Sequence, residues 1–97
     1  MALSAKQRQY LKGLAHPLAP VVRVGKGRLT PSIVAETKRS LEAHELIKVR
    51  IESDDAVERR EIAEQLAAQT EAELAGTIGK TAILYREREE KSRIRLP

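Results

Sequence analysis

The stretch "VVRVGKGRLTPS", residues 21–32, carries the signals of a strand, a loop and a helix start within twelve positions. Its valines favour a strand, and its two glycines, which alternate with Lys26 and Arg28, favour a flexible basic loop. Thr30 followed by Pro31 predicts the start of a helix, because threonine caps the first free amides and proline has no N–H to satisfy. The stretch therefore predicts a basic loop that leads into the positive end of a helix dipole, which suits an anion.

The composition indicates one small domain with an aliphatic core. The 97 residues are 41% hydrophobic and include only two aromatic residues, Tyr10 and Tyr85, so the core must consist of Leu, Ile, Val and Ala. The sequence has no cysteine, which excludes disulfides and thiolate metal sites and fits a reducing compartment. The N-terminus does not resemble a signal peptide, and no run approaches the roughly 20 apolar residues of a membrane span. We expect a cytoplasmic monomer without a membrane partner.

The charges are distributed unevenly along the chain. Residues 1–50 carry ten Lys or Arg against three Glu, a net charge of +7, whereas residues 51–97 carry a net charge of −3. No acidic residue precedes Glu36. This asymmetry predicts a basic face and a polyanionic partner, although an incidental solvated surface would also account for the charge by itself.

Three segments have the signals of helices, at about residues 4–16, 31–44 and 55–69. Ser4 with Gln7 has the spacing of a capping box, and Asp55 with Glu58 repeats that spacing at the third helix. The third helix is acidic and is not expected to meet a phosphate backbone. The side chains predicted to face inward are Leu3, Tyr10, Leu11 and Leu14 in the first helix, Ile33, Thr37, Leu41 and His44 in the second, and Val57, Ile62 and Leu66 in the third.

Four strands are predicted, at about residues 21–24, 46–52, 72–78 and 81–86. The second alternates apolar residues with Lys48 and Arg50, which predicts one covered face and one open, basic face. Gly79 and Lys80 form a two-residue turn between the last two strands. The fold class is α/β: a two-layer sandwich in the order α-β-α-β-α-β-β with a four-stranded mixed sheet. Residues 1–86 form the single domain, and residues 87–97 form a loose charged tail in which Ile94 and Leu96 could add an edge contact.

The predicted anion site combines the glycine loop with cations from other elements. Glycines allow a ligand to approach the backbone closely, the helix start offers free amides, and lysine and arginine add charge. A plain glycine turn with basic residues for solubility is the alternative. The residues predicted to contact the anion are Lys6, Arg8, Lys12, Gly25, Lys26, Gly27, Arg28, Thr30, Lys48, Arg50 and Lys80.

Other chemical readings find little support in the sequence. The "GKT" at residues 79–81 is not a P-loop, because Leu74 occupies the position of the first required glycine and the segment turns between strands. His16 and His44 lack the helper ligands of a metal site. There is no cysteine nucleophile and no Ser-His-Asp order. We therefore expect no enzymatic activity, no metal and no cofactor.

Three separated motifs resemble the CRM domain, named for chloroplast RNA splicing and ribosome maturation, and in particular its small bacterial YhbY-like members. They are "LSAKQRQYLKGLAHPLAPVVRVGKGRLTPSIV" from Leu3, the segment at residues 40–51, and "IGKTAILYR" at residues 78–86. The closing "RIRLP" is also similar to the family's tail. The family's loop is G-x-x-G; Gly25 fills its first position, whereas Arg28 stands at the second.

The resemblance implies an RNA-binding protein similar in fold to the C-terminal domain of translation initiation factor three. It implies association with precursors of the large ribosomal subunit, and hence ribosomal RNA as partner. The scarcity of aromatic residues separately predicts recognition of structured RNA by backbone and shape, since no platform for stacking bases is present. Two other functions stay open at this point: a protein-interaction adaptor that uses the acidic third helix, and a small phosphotransfer or hydrolytic enzyme.

Overall fold

The computed structural model describes residues 2–26 and 28–97, so that Gly27 of the predicted loop lies outside the described residues. In this part of the chain, three helices and four strands follow one another in the predicted order. They are α1 (Ala5–Ala15), β1 (Pro20–Val24), α2 (Pro31–His44), β2 (Leu46–Ile51), α3 (Ala56–Gln69), β3 (Glu73–Ile78) and β4 (Thr81–Tyr85). The predicted α/β class and element order are confirmed.

Short-range hydrogen bonds open the first two helices as the sequence predicts. The Ser4 hydroxyl accepts from the backbone N–H of Gln7 at 3.1 Å, and the Gln7 side chain accepts from the N–H of Ser4 at 3.0 Å. This is the complete capping box. At α2, the Thr30 hydroxyl accepts from the N–H of Ile33 at 3.2 Å. Both helix starts are thus determined by residues only three positions apart.

The third helix starts at the predicted place with a different arrangement. One Asp55 carboxylate oxygen accepts from the N–H groups of Val57 and Glu58, so the predicted cap is confirmed. The N–H of Asp55 donates to the Ser53 hydroxyl at 3.2 Å. In the predicted capping box, the Glu58 carboxylate would have been the acceptor of this bond. Val57 is 67% exposed, and its predicted inward orientation is wrong because it lies in the first turn, away from the side that carries Ile62 and Leu66.

The sheet has the strand order β1-β2-β4-β3. Strand β1 is parallel to β2, and β4 is antiparallel to both β2 and β3, which confirms the mixed sheet. Ile78 pairs with Thr81 across a two-residue turn. Gly79 in that turn has φ +57°, a conformation that favours glycine. The turn brings Lys80 to the end of the sheet where β1 and β2 finish, because the carbonyl of Lys80 accepts from the N–H of Ile51.

Hydrophobic side chains cover both faces of the sheet. Helices α2 and α3 pack on one face around Leu41, Leu66 and Val49. Helix α1 lies on the other face, where Leu11 and Ala15 pack with the buried residues of β3 and β4. The structure therefore has a third layer, formed by α1, beyond the two layers that we predicted.

Of the residues predicted to face inward in the first helix, Leu3 and Leu11 are buried, but Tyr10 and Leu14 are not. Leu11 and Ala15 are fully buried, whereas Tyr10 and Leu14 are 41% and 40% exposed. The apolar residues of this segment lie on two neighbouring sides of the helix, and either side could be buried against the sheet. The helix contacts the sheet through the side with the small Ala15, which allows a close approach.

The chain after β4 is attached to the domain, so the prediction of a loose tail is wrong. The Arg88 guanidinium donates to the carbonyls of Glu42 and Ala43, each at 2.8 Å, and thereby satisfies the end of α2. Ile94 and Leu96, predicted to add an edge contact, pack against the hydrophobic cluster on the α1 face. The domain boundary after residue 86 stays a prediction.

Glu45 organises this attachment from the residue that follows α2. It is 1% exposed and has φ +62°. Its carboxylate accepts from the Ser92 hydroxyl at 2.7 Å and from the backbone N–H groups of Arg88 and Arg93. His44, predicted to face the core, is exposed because the helix ends there. The buried position is therefore occupied by the next residue, Glu45, with its carboxylate.

Candidate nucleic-acid interface

The basic loop leaves the end of β1 and leads directly into α2. The N–H of Arg28 donates to the carbonyl of Gly25 at 3.0 Å, so the chain reverses between these two residues. The side chains of Lys26 and Arg28 are exposed. Two residues later, Thr30 caps α2, which confirms the predicted connection of loop and helix N-terminus.

The fold itself does not require a glycine at position 25. Among the described residues outside its two neighbours, no atom lies within 4 Å of a Cβ built on Gly25, and its φ is not left-handed. Gly79 shows the opposite case, with a positive φ that a side chain would strain. The missing side chain at Gly25 therefore leaves the backbone open to an external group, which is the property that a phosphate-binding loop needs.

Two arginines lie side by side on the face of the sheet that carries α1. Val22 and Val24 are buried on the opposite face, so Arg23 between them projects toward the α1 side. Arg23 is paired with Arg50 across the parallel strands β1 and β2. Glu52 contacts both guanidinium groups, at 3.2 Å from Arg23 and 3.3 Å from Arg50. One carboxylate thus holds two cations, whose side chains are 72% and 41% exposed.

Two lysines extend this charge along the same face. Lys48 donates from Nζ to the carbonyl of His16 at 3.1 Å, so that its ammonium lies at the end of α1. The stem of Lys12 passes over Gly76 in β3, where an added Cβ would be only 3.0 Å from its Cδ. Gly76 therefore permits the close approach of this lysine to the sheet. We call the following residues the basic surface: Lys12, Arg23, Lys48 and Arg50 on the α1 face, and Lys26 and Arg28 in the loop that follows β1.

The other predicted residues have different environments. Lys6 is exposed and lies nine residues before the buried Ala15, which places it on the side of α1 that faces away from the sheet. Arg8 donates from Nη1 to the carbonyl of Leu3 at 2.7 Å, so part of its guanidinium has a structural role. Neither residue is among those that the structure groups around Arg23 and Arg50.

Lys80 reaches the same end of the sheet as the loop but is paired there. Its ammonium lies 2.8 Å from the Asp54 carboxylate. The hydrogen bond from Lys80, with the charge of that residue, holds the pKa of Asp54 below its ordinary value. A ligand phosphate would have to compete with this carboxylate for Lys80.

Arg23 and Glu52 are the residues of this surface that the sequence analysis missed. Arg23 stands in the stretch of residues 21–32, between valines whose alternation already places it on the opposite side from the core. Its position beside Arg50 depends on the pairing register of β1 and β2, which the sequence alone does not reveal. Glu52 follows β2 directly, and its contact with both arginines depends on the same register.

Two further findings concern the described residues. Among residues 2–26 and 28–97, no group of three or more His, Cys, Asp or Glu could hold a metal ion. None of the helices in those ranges is long and apolar enough to cross a bilayer.

Comparison with known proteins identifies relatives along the whole chain. The sequence model of the CRS1 / YhbY (CRM) domain family matches residues 3–86. An RNA-binding protein of Haemophilus influenzae is 44% identical over 95 residues, which are 98% of this chain and 95% of that protein. The probable RNA-binding protein YqeI of Bacillus subtilis is 37% identical, with 98% of this chain and 99% of that protein covered. A solution structure of a hypothetical protein from Staphylococcus aureus is similar at a TM-score of 0.89 and 37% identity, over 98% of this chain and 99% of that one.

Proposed function

The chain belongs to the CRM domain family, and we propose that it binds structured RNA through the basic surface and assists assembly of the large ribosomal subunit. In this proposal its partner is ribosomal RNA in precursors of that subunit, and it acts as a cytoplasmic monomer. One bacterial relative is named an RNA-binding protein and two others are named probable RNA-binding proteins, which supports RNA as the partner.

The observation that carries the proposal is the pair of guanidinium groups that share Glu52. Arg23 and Arg50 are neighbours on one face of the sheet and have a single carboxylate between them. Two adjacent cations with one counter-charge attract a further anion, and the guanidinium fork suits the oxygens of a phosphate. Lys12 and Lys48 lie on the same face and supply compact charges to neighbouring phosphates.

The loop adds a second type of contact. The open backbone at Gly25 allows a phosphate to approach closely, and the N-terminal end of α2 presents the positive end of the helix dipole. The only aromatic side chains of the sequence, Tyr10 and Tyr85, lie outside the basic surface. Contacts to phosphates and to the shape of the RNA thus dominate, which predicts weak sequence discrimination and strong salt dependence.

Replacing Glu52 with glutamine is expected to raise the affinity for duplex RNA about threefold to tenfold, because the carboxylate that competes with phosphate for Arg23 and Arg50 is removed. Stability should fall by less than about 1 kcal/mol, as for other partly exposed ion pairs. Fluorescence anisotropy with a labelled RNA hairpin measures the affinity. Glu64→Gln is the matched control, since it removes the ion pair with Arg60 on α3. An unchanged or lower affinity of Glu52→Gln would contradict the role of this pair.

Replacing Gly25 with alanine is expected to separate binding from stability. The added methyl group meets open space among the described residues, so the melting temperature should be unchanged or slightly higher. RNA affinity should fall on the order of tenfold, because the methyl group keeps a phosphate away from the backbone. Gly79→Ala should show the reverse pattern, with a loss of about 1 kcal/mol in stability from its positive φ and little change in affinity. Full RNA affinity of Gly25→Ala would refute the close approach.

Sedimentation of cell extract on sucrose gradients tests the cellular part of the proposal. The protein should migrate with precursors of the large subunit, and crosslinking followed by sequencing should recover ribosomal RNA. Charge reversal of Lys26 and Arg28 should shift it to the free fractions. Charge reversal of Glu61 and Glu64 on α3 should leave its migration unchanged. Absence of the wild-type protein from every ribosomal fraction would count against the role in assembly, even where purified protein binds RNA.

A further inference from the structure

A groove of about 520 Å³ lies beside the basic loop, between the first turns of α2 and the end of α3. This volume is typical of sites that hold small organic groups. Its apolar lining comes from Leu29, Pro31, Val34 and Ala35. Leu29 and Val34 are partly buried and pack against the core formed by α2, α3 and the sheet. The groove is therefore part of the folded domain.

Charged and polar groups surround this apolar lining. Arg28 precedes Leu29 at the loop end of the groove. Lys38 lines the groove one helical turn beyond Val34 and is exposed. The exposed carboxamide of Gln69, at the end of α3, offers hydrogen-bond donors and an acceptor on the facing wall. The groove thus combines an apolar lining with one cation, Lys38, and one amide, Gln69, and Arg28 adjoins it through Leu29 in the chain.

We infer that this groove holds one unpaired nucleobase of the bound RNA, an inference that rests on the proposed RNA-binding function. An unpaired base in RNA has two flat, apolar faces and a phosphate on either side, and this pattern matches an aliphatic lining that includes Lys38 and that Arg28 adjoins through Leu29. The Gln69 carboxamide can hydrogen-bond to a base edge. Among the described residues, the lining contains no aromatic side chain on which a series of bases could stack. The occupant is therefore a single extruded base next to phosphates that contact the basic surface.

Two RNA hairpins with the same stem test this inference, one fully paired and one with a single-nucleotide bulge. The wild-type protein should bind the bulged hairpin about fivefold more tightly at the same salt concentration, because the extruded base buries apolar surface in the groove. With 2-aminopurine at the bulge, binding should change the emission of this base. The fully paired hairpin reports the phosphate contacts of the basic surface alone.

Ala35→Leu should remove the preference for the bulge and the change in 2-aminopurine emission, while affinity for the paired hairpin stays the same. Ala35 is exposed on α2, and leucine is a good helix former, so the variant should fold. Ala43→Leu is the matched control, since Ala43 is an exposed alanine at the other end of α2. Lys38→Gln provides a second variant and should reduce the preference without filling the groove.

The outcomes separate this inference from the proposed function. Equal wild-type affinity for both hairpins would overturn the inference, leave RNA binding intact and assign the groove to another occupant. A preference for the bulge that survives Ala35→Leu would also overturn it, because the base would then be held elsewhere. Failure to bind either hairpin would refute the proposed function and the inference with it.

Discussion

Replacing Arg23, Lys48 and Arg50 together with glutamine is expected to lower the affinity for duplex RNA on the order of 100-fold at about 0.15 M salt. The three cations lie on one face of the sheet, where the register of β1 and β2 places Arg23 beside Arg50. Each lost charge-assisted phosphate contact is expected to cost about 1 kcal/mol of binding free energy, and three such losses correspond to roughly a 100-fold lower affinity. The plot of log affinity against log salt should become shallower by about 0.9 for each duplex phosphate that is no longer neutralised. Fluorescence anisotropy over a salt series measures both quantities.

A second triple variant controls for net charge. Arg39, Arg60 and Lys91 are exposed and lie outside the basic surface, and their replacement by glutamine changes the net charge by the same amount. This control should lose only a few-fold in affinity. An equal loss in the two triple variants would show that RNA responds to the overall charge of the protein, and it would contradict a defined interface. Thermal melting of both variants checks that the losses do not come from unfolding.

The sequence predicted those features that depend on residues within one turn of each other. The caps at Ser4 and Thr30 and the turn at Gly79 each need only three or four neighbouring residues. The predicted strands and helices agree with the observed bounds for the same reason, since the alternation and helical spacing of apolar residues act locally. The loop with exposed Lys26 and Arg28 was predicted on this basis.

Features that depend on distant pairing could not be predicted in this way. Arg23 joins Arg50 only through the parallel register of β1 and β2, and a sheet register is fixed by the fold as a whole. The close contact of the Lys12 stem with the sheet depends on Gly76, which lies far along the chain. Lys6 lies on the side of α1 away from the sheet, and Arg8, one turn before Lys12, donates to the carbonyl of Leu3.

Replacing Glu45 with alanine is expected to lower the free energy of unfolding by about 3 kcal/mol, which is the largest stability effect that we predict for one residue. Its buried carboxylate accepts from the Ser92 hydroxyl and from the N–H groups of Arg88 and Arg93. Loss of the carboxylate leaves these partly buried donors without their acceptor, at about 1 kcal/mol for each. Urea unfolding at pH 7 measures the difference. Proteolysis should cut the variant earlier in residues 87–97, because the same bonds hold the tail.

Two controls separate the carboxylate from other effects of this substitution. Glu42→Ala removes an exposed glutamate from the last turn of α2 and should change stability by less than about 0.5 kcal/mol. Glu45→Gly also removes the carboxylate but relieves the positive φ. It should therefore be about 1 kcal/mol more stable than Glu45→Ala. Wild-type stability of the alanine variant would show that the tail contacts do not contribute to folding.

The pH dependence tests whether the charged form of Glu45 makes these bonds. Burial by itself raises the pKa of Glu45, but the hydrogen bonds from Arg93, Ser92 and Arg88 outweigh burial and lower the pKa below its ordinary value of 4.5. A lowered pKa means that the contribution to stability is fully present above the pKa of the unfolded chain and is lost as the pH falls through the folded value. The stability difference between wild type and Glu45→Ala should therefore be constant from pH 7 to about pH 5 and shrink on further acidification. A difference that grows in acid would mean a raised pKa and would assign the tail contacts to the protonated carboxyl.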